Sequence, residues 1–158
     1  MTHDTSSAKL IVPAMAGVYD RVSGLSYPLI RFFAGVVLMP HGAQKLFGMF
    51  NGGDAGIAAT AGFFSEVGLE PAVPLAYLVG SVEFFGGLCV AIGFLTRPAA
   101  ACVVALMAVA MFQVHLPEGF FWYRGGYEYP MLWGIIALGI FLRGGDAMSV
   151  DKAIGREF

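Results

Sequence analysis

Four stretches of this chain are apolar over the length needed to cross a bilayer, and that constraint excludes most folds before any other feature is weighed. Crossing the hydrocarbon takes about 20 mostly apolar residues in helical form. The runs are Tyr27 to Phe50, "PAVPLAYLVGSVEFFGGLCVAIGFL" at Pro71–Leu95, "RPAAACVVALMAVAMFQVHL" at Arg97–Leu116 and "YEYPMLWGIIALGIFLR" at Tyr127–Arg143. Helix is expected for each, because an isolated strand in lipid would leave backbone N–H and C=O groups without partners. "TRP" at 96–98 reads as a tight turn that makes the second and third runs antiparallel neighbours. Composition agrees: the chain is 58% hydrophobic and 13% charged, where ordinary soluble domains have about 45–50% and about 25%. With a mean hydropathy of +0.74, a small soluble protein could not hide this much apolar surface. The reading is all-α: an integral membrane four-helix transmembrane bundle.

An even number of spans returns both termini to one side. That side collects Lys9, Arg21, Arg31, Arg97, Arg143, Lys152 and Arg156, while the other has only Lys45 and Arg124. Cytoplasmic loops carry the excess of lysine and arginine, so both termini are expected to be cytoplasmic. The chain then divides into an N-terminal cytoplasmic or interfacial segment (1–26), a membrane domain (27–143) and a short cytoplasmic tail (144–158). In the first part, Leu10, Ala14, Val18, Val22 and Leu25 recur at helical spacing, with Lys9, Asp20 and Arg21 for the wet side. That pattern predicts an interfacial helix, limited by Pro13 to the residues after it. Ile57, Ala61, Phe64 and Val67 form a second stripe on the outer side between the first two spans, with Asp54 as candidate cap.

Several groups in these spans do not belong in lipid. At about 100° per residue, Arg31, Ala34, Leu38, His41 and Lys45 share roughly 80° of the first helix. A charge at the bilayer centre costs about 2.5–3.5 kcal/mol or more, so this face should point inward. The bland alternative is that Arg31 and Lys45 snorkel to opposite surfaces while His41 bonds a carbonyl. Pro40 leaves the carbonyl of Val36 without its helical donor and should kink the helix before His41. Glu83 is the sharper signal, standing 12 residues from Pro71 and 12 from Leu95, hence near the midplane. Gly80, Gly86 and Gly87 share its face and let another helix approach closely. Glu83 must be protonated or paired, with His41 the first candidate partner and Arg31 the second. A structural lock and a proton-handling carboxylate are both open at this point.

A second cluster, "VHLPEGFFWYRGGYEYPMLW", brings His115, Glu118, Arg124 and Glu128 together with Trp122, Tyr123, Tyr127, Tyr129 and Trp133. Interfacial aromatics alone are ordinary in membrane proteins. Glu128 stands at a helix start, where the helix dipole favours an anion, and Lys45 lies at similar depth, so Lys45–Glu128 is the expected second pair. These residues outline a polar pocket near the outer leaflet whose aromatic walls suit a flat amphipathic ligand such as a quinone.

Other chemistries find little support. His41 and His115 differ in depth by roughly 8 Å on residue counting, which disfavours a bis-histidine haem. Cys89 and Cys102 make no CxxC pair and read as small buried hydrophobes. No metal-ligand motif, Walker loop or dinucleotide glycine fingerprint is present in the sequence, and a net charge of −2 without a basic stripe argues against nucleic acid.

"HGAQKLFG" at 41–48, "EFFGGLCVAIGFLTRPAA" at 83–100 and "GGYEYPMLWGIIALGIFLRGGDAMSVDKAIGR" at 125–156, set across four spans, resemble the DoxX family of bacterial and archaeal membrane proteins. The resemblance covers about Tyr27 to Arg156, and the positions resembling the family's recurrent polar ones are Arg31, His41, Gly42, Lys45, Glu83, Gly87, Glu128 and Asp151. It implies a multi-pass protein of the bacterial cytoplasmic (inner) membrane, the setting of a family named after a small subunit associated with an archaeal terminal quinol oxidase. Related proteins occur in thiosulfate:quinone oxidoreductases. The family carries fold and membrane residence further than it carries a reaction.

The expectation is therefore the membrane subunit of an oxidoreductase or electron-transfer system, with a quinone site near the outer leaflet and no intrinsic cofactor. Glu83 and His41 would relay a proton. Lys45, Glu128, Arg31, His115, Tyr127, Tyr129 and Trp133 would line the ligand site. Any redox chemistry would need a partner to supply the cofactor; the expected partners are membrane lipid and other subunits of a membrane complex, or further copies of the chain in a homo-oligomer. The rival readings are a non-catalytic anchor or assembly subunit, and a small transporter or channel subunit.

Overall fold

The computed structural model describes residues 10–50 and 56–158, and among them every regular element is helical. Helix α1 (Ala16–Val22) is flanked by 3-10 turns at Pro13–Met15 and Ser23–Leu25 and leads without a gap into α2 (Ser26–Phe47). Helix α3 spans Ile57–Glu66. Helix α4 (Ala72–Ser81) passes through a π-helical segment, Val82–Gly86, into α5 (Gly87–Ile92). Helix α6 (Thr96–Val109) continues into a second π-helical segment, Ala110–His115, and a 3-10 turn. Helix α7 spans Glu128–Arg143, and the four-residue α8 spans Val150–Ala153.

Three helical runs are long and apolar enough to cross a membrane: Pro13–Phe47, Ala72–Ile92 and Thr96–Glu118. Helix α7 is apolar but only 16 residues long. The protein is a helical membrane protein, and its outer surface fits that setting: Leu29, Ile30, Phe32, Phe33 and Val36 of α2 are all exposed. A soluble monomer rarely shows such a continuous apolar face.

The departures from sequence expectation are local. Thr96–Arg97–Pro98 is the first turn of α6, not the connection itself. The reversal lies at Gly93–Leu95, where Gly93 (φ 71°) and Leu95 (φ 46°) take left-handed conformations. Helix α2 continues through Pro40, which lies on its exposed side. Leu10, Ala14, Val18, Val22 and Leu25 are all exposed, and the segment carrying them is continuous with α2 rather than a separate helix. Of the α3 stripe, Ala61 and Phe64 are buried against α4, whereas Val67 falls past the helix end and is exposed. Lys9 and Asp54 lie outside the described residues.

Small residues determine how closely the helices approach. Lipid tails are as apolar as leucine, so helices in lipid associate through close backbone packing and interhelical hydrogen bonds. Gly35 and Gly42, seven residues apart on α2, face Gly87 and the Gly80–Phe84 backbone of the antiparallel α4–α5 run. A Cβ on Gly35 would collide with the Gly87 carbonyl, and one on Gly42 with the Phe84 backbone nitrogen. Gly86, expected on the same face, is not in this contact: a Cβ there would meet only its own-helix neighbour Val82. Helix α6 packs along α7 and α3 along α4. Leu38, Val103, Met107 and Ala137 join α2, α6 and α7 in one apolar cluster.

At one end, here called the base, the C-terminal segment closes the structure with polar contacts. Helix α6 has no local side-chain cap. Its first donors go to Asp151 instead: Leu95 N (2.8 Å) to Oδ1, and Thr96 N (2.9 Å) and Thr96 Oγ1 (2.6 Å) to Oδ2. Burial pushes the Asp151 carboxyl up, but the bonds from Thr96 and Leu95, with Arg31 nearby, outweigh it and hold the group below the usual carboxylate range. Arg31 donates to the carbonyls of Val90 (2.7 Å) and Ala91 (3.0 Å) at the end of α5, and to Met148 O (2.5 Å). Val90 O also accepts from the capping Gly93 N at 3.2 Å, and carbonyls at a helix C-terminus, short of helical donors, are commonly bonded by cations. The Tyr27 hydroxyl donates to Gly144 O.

Candidate functional site

The opposite end of the molecule holds a cavity of about 400 Å³ between α2, α3, α4, α6 and the two π-helical segments. That volume suits a small-molecule site, which typically takes 300–1,000 Å³. Most of the wall is apolar: Phe63 and Phe64 of α3, Leu75 and Val79 of α4, Leu106 and Met107 of α6. The polar groups are few: Gln44, Lys45, Thr60, Glu83 and His115.

Lys45 and Glu83 form an ion pair inside this cavity, Nζ to Oε2, 2.7 Å. The local backbone explains the meeting. Gly42 seats α2 directly on the π-helical segment that carries Glu83, and Lys45 follows Gly42 by about one turn on the same face. A π turn inserts a residue into the helical repeat, and such segments occur frequently at functional sites. Here one presents Glu83 and the other ends on His115. Glu83 is 7% exposed, too buried to stand as an unpaired anion. Its second oxygen, Oε1, accepts no bond among the described residues, and Glu83 is one of the residues lining the cavity. Lys45 likewise keeps two N–H groups beyond the one given to Glu83.

His115 is fixed by a different contact. Its Nδ1 lies 2.5 Å from the Gly125 carbonyl. A carbonyl oxygen only accepts, so Nδ1 carries the hydrogen, and in the neutral ring Nε2 has a free lone pair.

The structure brings together Lys45, Glu83 and His115 of the residues singled out from sequence, and separates the others. The expected Glu83–His41 and Glu83–Arg31 pairs are replaced by Glu83–Lys45. His41 is exposed because α2 turns Leu38, Gly42 and Ala43 inward, which rotates the neighbouring position out of the contact. Arg31 is spent on carbonyls at the base. Glu128 does not meet Lys45: its Oε2 accepts from Trp122 N at 3.1 Å and ties the 3-10 turn to the start of α7. The aromatics expected as cavity walls pack elsewhere. Trp122 stacks on Tyr129 at 5.3 Å, Tyr127 meets Phe120 edge to face, and Trp133 packs between the two apolar clusters of the core.

Sequence reasoning missed Gln44, Thr60 and the phenylalanine wall of α3. The α3 stripe was visible, but nothing in it said that Phe63 and Phe64 line the same cavity as Lys45. A wider cleft of about 570 Å³ at the base is lined by charged groups, most of them engaged within the chain, while Lys152 and Arg156 make no side-chain bond among the described residues. Arg143 bonds Asp146 (2.5 Å), Glu157 accepts from Gly145 N and Arg97 Nε, and Asp151 caps α6. The cavity at the opposite end is therefore the better candidate.

A Bacillus subtilis (strain 168) protein bearing the name "Putative oxidoreductase CatD" is 27% identical over 126 residues, covering 80% of this chain and 84% of that protein. No solved structure matches the chain. The DoxX family model matches residues 27–116, more than half of the sequence and the whole stretch from Lys45 through Glu83 to His115. The chain belongs to the DoxX family.

Proposed function

We propose that this chain is the membrane subunit of an oxidoreductase system and that the Lys45–Glu83 cavity receives a quinone headgroup. The observation that carries this reading is an ion pair with unused hydrogen-bonding capacity on the wall of an otherwise apolar cavity. A lipid-soluble ring with polar oxygens matches both properties: the ring and tail meet Phe63, Phe64 and Val79, and a ring oxygen meets the pair. Lys45 donates to a carbonyl oxygen, while Glu83 Oε1 accepts from a hydroxyl. The relative's name is consistent with oxidoreductase chemistry, and electrons would come from a partner subunit.

The same reading places the chain in the bacterial cytoplasmic membrane as four spans, α7 being the fourth, with both termini cytoplasmic. Arg31, Arg97, Arg143, Lys152 and Arg156 lie at the base, whereas Lys45 and Arg124 lie at the other end. That asymmetry is the one cytoplasmic faces carry, and it puts the cavity toward the outer leaflet.

The test is quinone binding to purified protein in nanodiscs. Wild type should bind a short-tailed quinone in its reduced, hydroquinone form saturably, Glu83→Gln, which loses an acceptor for a ligand hydroxyl, should weaken it, and His41→Ala, outside the cavity, should not change it. Absence of saturable binding by folded wild type would move the anchor reading to first place.

A further inference from the structure

Resting on the quinone reading of the cavity, we infer that His115 is its hydroxyl-reading end, so that the site distinguishes the reduced, dihydroxy form of its ligand from forms unable to donate hydrogen bonds. The argument begins with the tautomer. Gly125 O accepts from His115 Nδ1 at 2.5 Å, which leaves Nε2 as an acceptor in the neutral ring. Nε2 makes no hydrogen bond among the described residues, and His115 is half-buried on the cavity wall.

The carbonyl that fixes this tautomer is itself held. Gly125 lies in a loop tied by Gly126 N to Phe121 O (3.0 Å), Tyr127 N to Gly119 O (2.9 Å) and Glu128 N to Phe120 O (3.0 Å). Gly125 has φ 84°, which favours glycine, and Gly126 packs so tightly that a Cβ would collide with the Gly119 carbonyl. The loop thus presents Gly125 O to the imidazole as a fixed feature. The orientation that a carboxylate or carbonyl gives to a metal-binding histidine works in the same way; here the histidine lines a mostly apolar cavity and no metal is invoked.

The residues lining the cavity then carry two acceptors without a bond among the described residues, His115 Nε2 and Glu83 Oε1, beside one cationic donor, Lys45. A ligand with two hydroxyl groups satisfies both acceptors. A fully oxidised or etherified ring satisfies neither and leaves buried lone pairs unmatched, which is the mismatch that polar sites discriminate most strongly. His115 is in this sense a specificity-determining residue.

The experiment compares three probes on the protein in nanodiscs: a short-tailed hydroquinone kept reduced, the corresponding quinone, and the hydroquinone dimethyl ether. Wild type should bind the hydroquinone more tightly than the ether. His115→Phe should cut that preference about tenfold, the size expected for one lost hydrogen bond. His115→Gln, which keeps an acceptor on the cavity wall, should retain much of the preference, and His115→Leu, which keeps none, stands in should the phenylalanine variant fail to fold. Equal binding of hydroquinone and ether by wild type, or an undiminished preference in His115→Phe, overturns the role of His115 and leaves the quinone reading standing. No binding of any probe to folded wild type overturns the quinone reading and this inference together.

Discussion

Single residues in this protein divide between those that hold the fold and those that keep chemistry free. Asp151 belongs to the first kind. Its carboxyl lies below the usual range, so its contribution to stability is present above the unfolded value of about 3.9 and disappears as pH falls through the folded one. Thermal melting in detergent should therefore show part of the loss between pH 5 and the acid limit missing from Asp151→Asn. At neutral pH that variant should be less stable by about 1.5–3 kcal/mol, the scale of hydrogen bonds to a charged group. Lys45 and Glu83 belong to the second kind. Lys45→Met leaves a buried carboxylate without its partner and should cost about 3–5 kcal/mol, whereas Lys45→Met with Glu83→Gln removes both charges and should recover most of that loss. Measured by chemical denaturation, a double variant as stable as wild type yet unable to bind quinone would separate function from packing. The residue types of this site were legible in the sequence, since lysine, glutamate and histidine have no other business in apolar runs. Their pairing was not, because residue counting gives depth while rotation about the helix axis decides whether His41 or Lys45 meets Glu83.

At the scale of elements, that rotation is set by glycine. The sequence showed four apolar runs within about three residues of the observed ends, and it showed the small-residue face of the second run. It did not show the two π-helical segments, whose inserted residue leaves no periodic trace in an already apolar stretch. Nor did it show that α6 takes its cap from a residue 55 positions later, a bond that only the folded C-terminal segment can make. The Gly42 contact tests the claim that close approach builds the site. Gly42→Ala puts a methyl group into the Phe84 backbone and Gly80 carbonyl, neither of which can move aside as a flexible side chain could. Overpacking of this kind costs about 1–3 kcal/mol, and the separation of α2 from the π-helical segment should also weaken the Lys45–Glu83 pair. Gly62 in α3 is the control, since nothing lies within 4 Å of a Cβ there. Gly62→Ala should be neutral or gain about 0.5–1 kcal/mol from the reduced freedom of the unfolded chain. Melting temperatures of the two variants should move in opposite directions or differ clearly.

For the whole molecule, topology turns on how α7, shorter than the three helical runs long enough to cross a membrane, sits relative to the bilayer. Helix α7 has 16 residues, or about 24 Å of helix against a hydrocarbon thickness of about 30 Å. The shortfall of about 6 Å is of the kind that flanking side chains and local thinning absorb, and both ends carry suitable groups. Trp122 and Tyr129 stack at the start, and Arg143 lies over the Tyr27 ring at the finish; aromatic rings of this sort anchor at the headgroup level while a long basic side chain reaches for water. Tight packing along α6 would hold α7 at the depth of its longer neighbour. Glu118 precedes α7 and Lys152 follows it, and both are exposed. With Cys89 and Cys102 replaced by serine, Glu118→Cys should react with a membrane-impermeant maleimide in intact cells. Lys152→Cys should react only once the membrane is opened. The reverse pattern would keep α7 as a span but invert the protein and move the cavity to the cytoplasmic leaflet. Labelling of both sites from one side would mean that α7 does not cross, leaving three spans with the termini on opposite faces. In that case the charge asymmetry between base and cavity end would need another cause than membrane orientation.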